Sequence, residues 1–436
     1  MKIIEKNAYV LMIGPSGAGK STFSRTLFSE SEIISTDDLR EKICGDFRRQ
    51  DVTDDTYDLL FSLAEMRLKW GQRVVIDATN LKQKDRESHI ALAKKYGVQL
   101  VYLIFNRPIN EKRKTAGWRH EVVVRGKPLI EMHEEQFRSD EKIILSGDKG
   151  LADLVIDARS DVLNETYMVV PSSIDEKYIR DNFNGIAIIG DIHSEYDRFV
   201  LAVDEAIAEN LFIISLGDII DYGSKPVETF RLINNLINRG QALAIMGNHE
   251  WKVVRYMRKI AECIEYGYGR DRNMLSLRLS DATLATIDAY EALPEGDVER
   301  FERQFQAFYA SNPDHLNMWN LTLCHAASHE EIYRKNTGRL VGQAQSFAYY
   351  GQTDGTKDEN GFPTRLYDWI ENIPSTRIVM VGHAIRDDKP MIIANNQGGQ
   401  VVFVDTGSGK GGPLTMMICR FTGQNDLLKI DHHRQY

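Results

Sequence analysis

Short apolar runs alternate with amphipathic stretches along the first part of the chain. Residues 9–14, 74–80 and 98–105 form nearly continuous apolar runs, which is typical of strands buried on both faces of a parallel sheet. The amphipathic stretches 19–29 and 57–70, and a third at 83–96, have the period of a helix. This alternation predicts a layered α/β fold with a parallel sheet.

The pattern weakens after about residue 160 and then begins again. A second set of apolar runs is predicted to form strands at 186–194, 211–218, 242–250, 321–326, 377–384 and 401–407. Most of these runs lead directly into a polar turn that contains His or Asp, and polar groups at strand ends are how layered α/β folds build sites. We therefore predict one domain over 1–165, a linker over 166–184 and a second α/β domain over 185–436. Within the second domain, 251–320 is predicted to be a helical cap insertion.

Composition limits the classes of protein that this chain can belong to. A length of 436 residues exceeds one ordinary domain, and 42% hydrophobic with 27% charged residues excludes wholesale disorder. No apolar run approaches the ~20 residues of a membrane span, and no signal peptide is recognisable at the N-terminus. The four cysteines are scattered without a C-x-x-C pair, which indicates reduced thiols and a cytoplasmic protein without a membrane partner.

Charge is distributed unevenly between the two predicted domains. Residues 1–165 contain 27 basic and 27 acidic side chains, whereas residues 166–436 contain 27 and 36 and so carry the whole net charge of −9. Nucleic acid is therefore not expected to bind through uniform positive charge. The excess of acids in the second domain is compatible with a site that gathers metal ions.

A glycine-rich loop between the first strand and the first helix satisfies G-x-x-x-x-G-K-[ST] over residues 14–22. Such a loop directs backbone N–H groups at phosphate oxygens, while its Lys neutralises the β- and γ-phosphates and its Ser or Thr reaches Mg²⁺. The sequence therefore predicts binding of ATP, or another nucleoside triphosphate, with Mg²⁺. The candidate nucleotide-binding residues are Gly14, Gly17, Gly19, Lys20, Ser21 and Thr22, with Ser21 also a ligand of Mg²⁺.

The next short strand ends at an acidic segment that contains Asp37 and Arg40. A carboxylate beside the γ-phosphate can accept the proton of an attacking hydroxyl, and a nearby Arg can hold an acceptor phosphate through two hydrogen bonds. The alternative is a capped helix start, with Asp37 or Asp38 as the cap. A further strand ends in residues 77–80, D-A-T-N, close to where the phosphates are expected.

On these motifs, the N-terminal domain resembles the polynucleotide 5′-hydroxyl kinases, and the resemblance covers nearly all of residues 1–150. The resemblance implies that Asp37 is the general base and that Arg40 holds the 3′ phosphate of the 5′-terminal nucleotide. It also implies an arginine-bearing lid, for which 107–127 is the candidate, with seven basic side chains against two acidic ones. Arg125 is the first choice for a lid arginine that contacts the phosphates and Arg113 the second; a solvated basic face is the alternative. Kinases of small molecules share the phosphate loop and in part the D-x-x-R segment.

Polar turns at five strand ends of the second domain carry a mixed set of oxygen and nitrogen ligands. The candidate metal ligands are Asp191, His193, Asp218, Asn248, His325 and His383. This set suffices for two divalent cations bridged by Asp218, and its mixture suits Mn²⁺, Fe, Zn²⁺ or Ni²⁺ better than Ca²⁺ or Mg²⁺. Two ions ~3.5–4 Å apart lower the pKa of a bridging water and bind a phosphoryl oxygen.

The order and spacing of these turns over 184–420 resemble the calcineurin-like binuclear metallophosphoesterases. The resemblance implies that His249 is an acid or transition-state stabiliser oriented by Asp221, and that Asp405 lies near the site. The family usually reads G-D-x-x-D-R-G, and here Tyr222 stands at the Arg position. Either another cation replaces that Arg, with Arg386 and Lys389 as candidates, or the substrate carries less charge, as a cyclic phosphodiester does. A third interpretation is that Tyr222 packs at the rim without effect.

A kinase and an esterase on one chain are coherent if they act on opposite ends of a broken strand. The arrangement resembles the bacterial and phage polynucleotide kinase–phosphatases, which implies a bacterial or phage-infected cell, Mn²⁺ or Ni²⁺ at the second site, and RNA or DNA ends as substrates. The ligase is then expected as a separate partner, and a homo-oligomer is left open. Within the predicted cap, Arg255, Arg258 and Arg270 can guide a nucleic-acid end, or the cap serves packing alone.

Two other functions stay open from the sequence. The first is a small-metabolite kinase fused to a dinucleotide-polyphosphate hydrolase or a protein phosphatase. The second is a nucleotide-binding module that regulates the esterase without transferring phosphate, against which the presence of Asp37 and Arg40 argues.

Overall fold

The computed structural model describes residues 1–115, 122–124, 126–159, 167–335, 337–357, 359, 363–422 and 427–436. The chain divides into two compact units, Met1–Ser172 and Ser173–Tyr436. Among the described residues, none of the helices combines the length and the apolar character that crossing a bilayer requires.

The first unit is built on a five-stranded parallel sheet. Its strands are β1 (Lys2–Ile4), β2 (Tyr9–Ile13), β3 (Ile33–Ser35), β4 (Val74–Asp77), β5 (Leu100–Ile104), β6 (Val123–Val124), β7 (Lys127–Pro128), β8 (Leu154–Asp157) and β9 (Tyr167–Val169). The main sheet has the order β3-β4-β2-β5-β8, while β1 pairs with β9 and β6 with β7. Each residue of the central strand β2 is buried, as the apolar run predicts for a strand covered on both faces.

Helices cover both faces of this sheet. They are α1 (Lys20–Leu27), α2 (Thr36–Cys44), α3 (Thr53–Lys69), α4 (Gln83–Tyr96), α5 (Ile109–Thr115), α6 (Leu129–Leu145) and the single turn α7 (Gly147–Gly150), with a 3₁₀ turn at Glu30–Glu32. Leu60, Ala93 and Phe137 from α3, α4 and α6 pack on one face, and Ala18 and Phe28 beside α1 pack on the other. Because both faces are covered, the carboxyl ends of β2, β3 and β4 form the exposed edge at which a site can lie.

The second unit is a sandwich of two five-stranded sheets. Its strands are β10 (Gly185–Ile189), β11 (Phe212–Ser215), β12 (Ala242–Ala244), β13 (His315–Met318), β14 (Leu321–Cys324), β15 (Gln352–Lys357), β16 (Pro363–Leu366), β17 (Ile378–Val381), β18 (Met391–Ala394), β19 (Gln400–Phe403), β20 (Thr415–Phe421) and β21 (Leu428–Gln435). The sheets have the orders β12-β11-β10-β20-β21 and β13-β14-β17-β19-β18, and β15 with β16 forms a separate hairpin. Ile188 and Phe212 of one sheet share a buried core with Leu323 and Val402 of the other.

Helices flank the outer faces of the sandwich. They are α8 (Glu176–Asn182), α9 (Tyr196–Ala208), α10 (Pro226–Asn238), α11 (Asn248–Glu265), α12 (Asp281–Glu291), α13 (Asp297–Ser311) and α14 (Gly342–Tyr350), with 3₁₀ turns at Arg272–Met274, Ile332–Arg334 and Asp368–Asn372. Three of them, α11 to α13, occupy most of 251–320. Both predicted fold classes are confirmed: an α/β domain with a parallel sheet and an α/β sandwich flanked by helices. The segment predicted as a linker, 166–184, contains β9 and α8.

Candidate active sites

The glycine-rich loop lies between β2 and α1, as its motif requires. Gly17 and Gly19 have φ of 78° and 92°, a region that side chains with a Cβ rarely adopt. Lys20, the first residue of α1, donates hydrogen bonds from Nζ to the carbonyl oxygens of Gly14 and Pro15 at 2.8 and 3.0 Å. The ammonium group is therefore held within the loop that is expected to receive the phosphates.

A cavity of about 320 Å³ opens at this edge of the sheet. It is lined by the phosphate loop and by polar residues from the ends of neighbouring strands, including Ser16, Gly17, Gly19, Lys20, Ser21, Thr22, Asp37, Arg40, Asp77, Thr79, Arg107 and His133. The cavity thus brings the predicted nucleotide-binding residues and the predicted acceptor residues together. The side chain of Asn80 instead donates to the carbonyl oxygen of Met12 at 2.9 Å, so Asn80 ties β4 to β2.

Asp37 and Arg40 face this cavity from the first turns of α2. Ser35 caps that helix, because its side chain accepts from the backbone N–H of Asp38. Arg40 Nη1 donates to Asp37 Oδ1 at 2.8 Å. Arg40 is only 8% exposed. Its Nε has no hydrogen-bond partner among the described residues. A buried guanidinium with an unused donor favours an anionic ligand at this place.

Among the described residues, the arginine placed against the phosphate loop is Arg107, which belongs to the predicted lid 107–127 but was not one of the two preferred lid arginines. Arg125 lies outside the described residues. Arg113 on α5 forms an ion pair with Glu131 at 2.5 Å and is not among the residues that line the cavity. The guanidinium of Arg107 lies so close to Gly19 that a Cβ at this glycine would stand 3.0 Å from its Cζ. Arg107 is the first residue of the predicted lid and closely follows β5, and that position was the available signal for it.

The second site lies where strands of both sheets in the second unit end. Asp191 and His193 follow β10, Asp218 follows β11, His325 follows β14 and His383 follows β17, while Asn248 begins α11. Ligand atoms of Asp191, His193 and Asp218 lie within 4.8 Å of one another, and so do those of Asp218, His325 and His383. Asp218 belongs to both groups, as expected of a bridging carboxylate.

Distances within these groups place each nitrogen toward the shared carboxylate. His325 Nε2 lies 3.2 Å from Asp218 Oδ2 and 3.1 Å from Asn248 Oδ1. His193 Nε2 lies 3.7 Å from Asp191 Oδ2 and 3.9 Å from Asp218 Oδ2. Five of the six predicted ligands are at most 5% exposed, and His383 is half-buried.

The backbone bends sharply at these positions. His193, Asp218 and His383 have φ of 47°, 48° and 64°, and Asp221 and Tyr222 also have positive φ. Such conformations cost of order 1–3 kcal/mol each and occur mainly at functional sites. Two glycines make the close approach possible: a Cβ at Gly247 would stand 2.2 Å from Asp218 Oδ1, and one at Gly382 would stand 2.1 Å from Asp191 Oδ1.

The imidazoles are oriented as metal ligands usually are. Nδ1 of His193 lies 3.0 Å from the carbonyl oxygen of Ile220, and Nδ1 of His325 lies 2.9 Å from that of Leu216. A proton on each Nδ1 satisfies the carbonyl oxygen and leaves the Nε2 lone pair for a metal ion. His193 Nε2 is buried and has no hydrogen-bond partner among the described residues. This unpaired atom fits a metal ion, which the donor set also suits.

Electrostatics point in the same direction. Burial and the neighbouring Asp405 carboxylate raise the pKa of Asp191. Burial lowers the pKa of His193 to about 4, and the nearby Lys410 ammonium acts in the same direction. The buried carboxylates of Asp191, Asp218 and Asp405 beside this neutral imidazole favour a compensating cation, because an unpaired buried charge is costly. Two divalent ions bound here would supply that charge and would polarise both a water and a phosphoryl oxygen.

His249 lies beside this centre and is held by a buried carboxylate. Its Nδ1 is 2.5 Å from Asp221 Oδ2, and its Nε2 is 3.7 Å from Asp218 Oδ2. Asp221 accepts further hydrogen bonds from Thr283 Oγ1 at 2.6 Å and Thr286 Oγ1 at 2.7 Å. Burial alone would raise the pKa of Asp221, but these hydrogen bonds outweigh it and lower that pKa. The carboxylate therefore stays charged and fixes the imidazole.

Both threonines lie on α12, within the segment predicted to be a cap. The cap segment thus helps to position His249, a role that the sequence did not predict. Glu250 was also missed: its buried carboxylate accepts backbone N–H groups of Gly247, Asp218 and Ile219 at 2.8–3.1 Å. Glu250 therefore joins the turns that carry Asp218 and Asn248.

Tyr222 lies at the rim, 46% exposed, with its ring centroid 4.7 Å from that of His193. Lys410 places Nζ 4.6 Å from the centroid of the Tyr222 ring. The candidate cation Arg386 stacks instead on Tyr367, at 4.2 Å from the ring centroid. The cation beside Tyr222 is thus Lys410, although the two residues are almost 190 positions apart in the chain.

A second cation approaches the metal ligands from the hairpin formed by β15 and β16. Burial lowers the pKa of Arg365, while Tyr367 and then the carboxylates of the metal centre oppose that shift. Arg365 Nη1 donates to the carbonyl oxygen of Tyr350 at 2.9 Å, which fixes its direction. Lys410 and Arg365 can therefore each offer a positive charge to a phosphoester at the centre.

Two family models match the chain. Residues 10–121 match the model of an AAA domain, and residues 185–384 match that of the calcineurin-like phosphoesterases. With the geometry above, the chain joins a P-loop, kinase-like domain to a calcineurin-like metallophosphoesterase domain. The first class of domain binds a nucleotide with Mg²⁺ and the second binds divalent metal ions.

Relatives and solved structures are similar to parts of this chain. An asymmetrical bis(5′-nucleosyl)-tetraphosphatase, PrpE, of Geobacillus sp. (strain WCH70) is 27% identical over 240 residues, which is 53% of this chain and 88% of that protein. The PrpE of Bacillus subtilis (strain 168) is 23% identical over 241 residues, 52% and 88% of the two chains. A crystal structure of a putative diadenosine tetraphosphatase has a TM-score of 0.34 and 17% identity over 57% of this chain and 94% of its own. A chain of the Pnkp1/Rnl/Hen1 RNA repair complex has a TM-score of 0.28 and 15% identity over 67% and 88%.

Proposed function

We propose that the protein heals the ends of broken nucleic-acid strands. The first unit transfers the γ-phosphate of ATP to a 5′-hydroxyl end, with Mg²⁺. The second removes a 3′-phosphate or opens and clears a 2′,3′-cyclic phosphate, with Mn²⁺ or Ni²⁺ as the metal ions. The products are a 5′-phosphate and a 3′-hydroxyl, which a separate ligase can join. RNA is the expected substrate, with DNA as an alternative.

The observation that carries this proposal is the pair Asp37–Arg40 in one cavity with the phosphate loop. A nucleotide-binding switch does not need a carboxylate and an arginine beyond the γ-phosphate, whereas a phosphotransferase with a phosphorylated alcohol as acceptor needs both. The carboxylate accepts the proton of the attacking hydroxyl. The buried, incompletely hydrogen-bonded guanidinium of Arg40 binds a phosphate of the acceptor strand.

The presence of two opposed activities supports the same interpretation. A kinase that adds phosphate and an esterase that removes it would cancel each other on one small metabolite. They cooperate when the two reactions occur at chemically different ends of a strand. Arg365 and Lys410 at the metal centre match a phosphoester that carries one or two negative charges.

A second candidate for the esterase is hydrolysis of dinucleoside polyphosphates. It is favoured by the 23–27% identity to proteins named as asymmetrical bis(5′-nucleosyl)-tetraphosphatases. Under this candidate, the first unit phosphorylates a small alcohol and not a polynucleotide. The cations at the metal centre are compatible with either substrate, so the choice needs an experiment.

The test is a direct comparison of substrates on the full chain. One series offers the esterase a 3′-phosphate RNA, a 2′,3′-cyclic phosphate RNA and diadenosine tetraphosphate at equal concentration, with Mn²⁺ or Ni²⁺. A second series offers the kinase a 5′-hydroxyl RNA, a 5′-hydroxyl DNA and small alcohols, with labelled ATP. We expect the RNA ends to have the highest kcat/KM in both series. Preference for the tetraphosphate, together with no labelling of either oligonucleotide, would contradict the proposal.

A further inference from the structure

The helix that begins at the metal ligand Asn248 carries an unusual concentration of positive charge. Residues 251–259 of α11 read WKVVRYMRK, with four basic side chains and no acidic one. They belong to the part of the chain in which 36 acidic side chains outnumber 27 basic ones. Positive charge is thus gathered directly beside the metal centre, in surroundings that otherwise repel a polyanion.

Helical geometry aligns these side chains with the metal ligand. At 100° per residue, the acidic Glu262 projects within about 40° of the direction of Asn248, as do Lys252, Arg255, Lys259 and Tyr266. They form one stripe, which we call the α11 stripe, along a helix of 18 residues. At 1.5 Å per residue the stripe extends about 27 Å away from the metal centre.

Contacts along the α11 stripe show that it starts at the site and stays accessible. Lys252 Nζ lies 3.5 Å from Nε2 of His249. Burial raises the pKa of Tyr350, and the charge of Arg255 opposes that shift, so the exposed Arg255 lies near Tyr350, whose carbonyl oxygen accepts from Arg365. Lys259 is exposed, with an ion pair to Glu262 at 2.7 Å that is expected to be weak because it faces solvent.

The far end of the stripe presents aromatic rings. Tyr266 is 74% exposed and Tyr268 58% exposed, although large aromatic side chains are usually covered. The arginines that follow are already engaged: Arg270 pairs with Glu302 at 2.7 Å, and Arg272 pairs with Asp288 at 2.6 Å. Arg270 is therefore a poor guide for nucleic acid, contrary to the expectation from the sequence, and the accessible cations lie on α11.

We propose that the α11 stripe binds the single-stranded part of a polynucleotide whose 3′ end occupies the metal centre. Lys252, Arg255 and Lys259 contact successive backbone phosphates, and a base several nucleotides from the end stacks on Tyr266. Cations combined with an exposed aromatic ring are the common composition of single-strand binding surfaces. This inference rests on the proposed function and adds that the esterase prefers a strand to a compact dinucleotide.

The experiment compares Arg255→Ala/Lys259→Ala with the wild-type chain. The matched control is Arg231→Ala/Arg239→Ala, which removes two exposed arginines of α10 and its C-terminal cap. Substrates are a 3′-phosphate RNA dodecamer, a 3′-phosphate dinucleotide and p-nitrophenyl phosphate. Anisotropy of a fluorescent dodecamer with a 3′-hydroxyl end reports binding without turnover.

For the stripe variant we expect the KM of the dodecamer to rise on the order of tenfold, with kcat and the activity on p-nitrophenyl phosphate unchanged. The slope of the logarithm of the RNA binding constant against the logarithm of the salt concentration should become less steep by about 1.4. Each single-strand phosphate contact contributes about 0.7 to this slope, and the variant removes two. Tyr266→Ala should weaken dodecamer binding on the order of tenfold through lost stacking. The α10 control should change none of these.

Unchanged KM, salt slope and anisotropy in the stripe variant would overturn the inference. Failure of the proposed function gives a different result: the wild-type chain would leave both 3′-phosphate substrates intact. In that case, anisotropy still decides about the stripe, because binding of the 3′-hydroxyl dodecamer either depends on Arg255 and Lys259 or does not.

Discussion

The two sites of this protein are assembled in different ways. The phosphate loop relies on backbone groups and on a few side chains, such as Asp37 and Arg40, that line an open cavity. The metal centre is built from side chains that are almost completely buried, at strand ends with strained backbone. The first site is open to a nucleotide that arrives with its own charge, whereas the second offers a preformed set of buried groups that could hold metal ions.

This difference has consequences for how each site responds to change. A site whose groups are buried and mutually hydrogen-bonded loses its function when one member is removed, because the remaining charges are left uncompensated. A site made largely of main-chain N–H groups tolerates changes of most neighbouring side chains and is sensitive mainly at the proton acceptor and at Lys20. The predictions below test whether the sites differ in this way and whether they act independently.

The largest effect is expected at the bridging carboxylate. Asp218→Asn removes the charge that both metal-ligand groups share, so phosphoester hydrolysis should fall below detection while 5′ phosphorylation stays at the wild-type rate. Removing divalent ions with a chelator and restoring only Mg²⁺ should have the same selective effect. The control is Asp204→Asn, an exposed residue of α9. Parallel loss of kinase activity would contradict independent sites.

The next effect is expected in the cavity of the first unit. Asp37→Asn removes the proton acceptor but preserves the shape of the side chain, so the rate of 5′ phosphorylation should fall by about 10²–10⁴-fold. Asp38→Asn changes the adjacent, more exposed carboxylate of the same helix turn and should have little effect. Esterase activity serves as the internal reference. Equal losses in both variants would show that the carboxyl group of Asp37 has no specific part in phosphate transfer.

Lys410 tests how the metal centre compensates for Tyr222. Lys410→Met should lower kcat/KM for phosphoesters by about 10- to 100-fold, because a charged hydrogen bond contributes about 1.5–3 kcal/mol. Adding Tyr222→Arg should restore most of the loss by placing a guanidinium at the same rim. Lys429→Met, which removes an exposed lysine of β21, is the control. No effect of Lys410→Met would mean that Arg365 alone contacts the substrate charge.

A smaller effect is expected at the support of His249. Thr283→Val removes one hydrogen bond to Asp221, at a cost of about 1 kcal/mol, or about fivefold in kcat. That hydrogen bond helps to lower the pKa of Asp221. Its loss therefore raises this pKa and shifts the acidic limb of the pH–kcat profile to higher pH. Thr229→Val, which removes a buried hydroxyl of α10 that donates to Lys225, should leave the profile in place. A shifted profile in that control would indicate a general loss of rigidity.

The last prediction concerns stability of the first unit only. Burial lowers the pKa of His89 from 6.5 to about 3, and Tyr9 Oη lies 2.7 Å from its Nδ1. The folded state therefore keeps His89 neutral, whereas the unfolded state binds a proton below pH 6.5. The free energy of unfolding is therefore unaffected by His89 well above pH 6.5 and decreases as the pH falls toward 3, because only the unfolded state binds the proton. At pH 5.5 the decrease is about 1.4 kcal/mol.

The measurement is pulse proteolysis in urea at pH 7.5 and 5.5, read on fragments from residues 1–172. His89→Gln retains a hydrogen-bonding side chain but does not titrate. The free energy of unfolding of this variant should therefore fall by about 1.4 kcal/mol less than that of the wild-type chain between pH 7.5 and pH 5.5. Fragments from the second unit provide the reference. An equal acid dependence in wild-type and variant chains would show that His89 is not the titrating group.

The grouping of the candidate metal ligands was predictable, because the sequence places residue types that coordinate metal ions at successive strand ends, which the structure brings together. The same holds for the phosphate loop, whose glycines and Lys20 are adjacent in the chain. Both fold classes followed from the alternation of apolar runs and amphipathic stretches.

Residues that face the substrate were harder to predict. Arg365 and Lys410 come from segments that are far in sequence from most of the metal-binding turns and fold back onto the site. No local spacing identifies these two residues, and the candidate Arg386 is as basic as they are. Within the predicted lid, residue type alone does not distinguish Arg107 from the first choice Arg125 or the second choice Arg113. The two threonines that hold Asp221 were missed for the same reason, since α12 is separated from Asp221 by about 60 residues in sequence.

The central claim is that two independent sites heal opposite ends of one strand. The most direct measurement supplies a 5′-hydroxyl RNA that ends in a 2′,3′-cyclic phosphate, with ATP, Mg²⁺ and Mn²⁺ or Ni²⁺, and reads both ends by mass spectrometry. We expect the wild-type chain to add a 5′-phosphate and to clear the 3′ end. Lys20→Ala should lose only the first product and Asp191→Ala only the second. An RNA that stays unchanged at both ends, while the same preparation hydrolyses ATP and p-nitrophenyl phosphate, would contradict the claim.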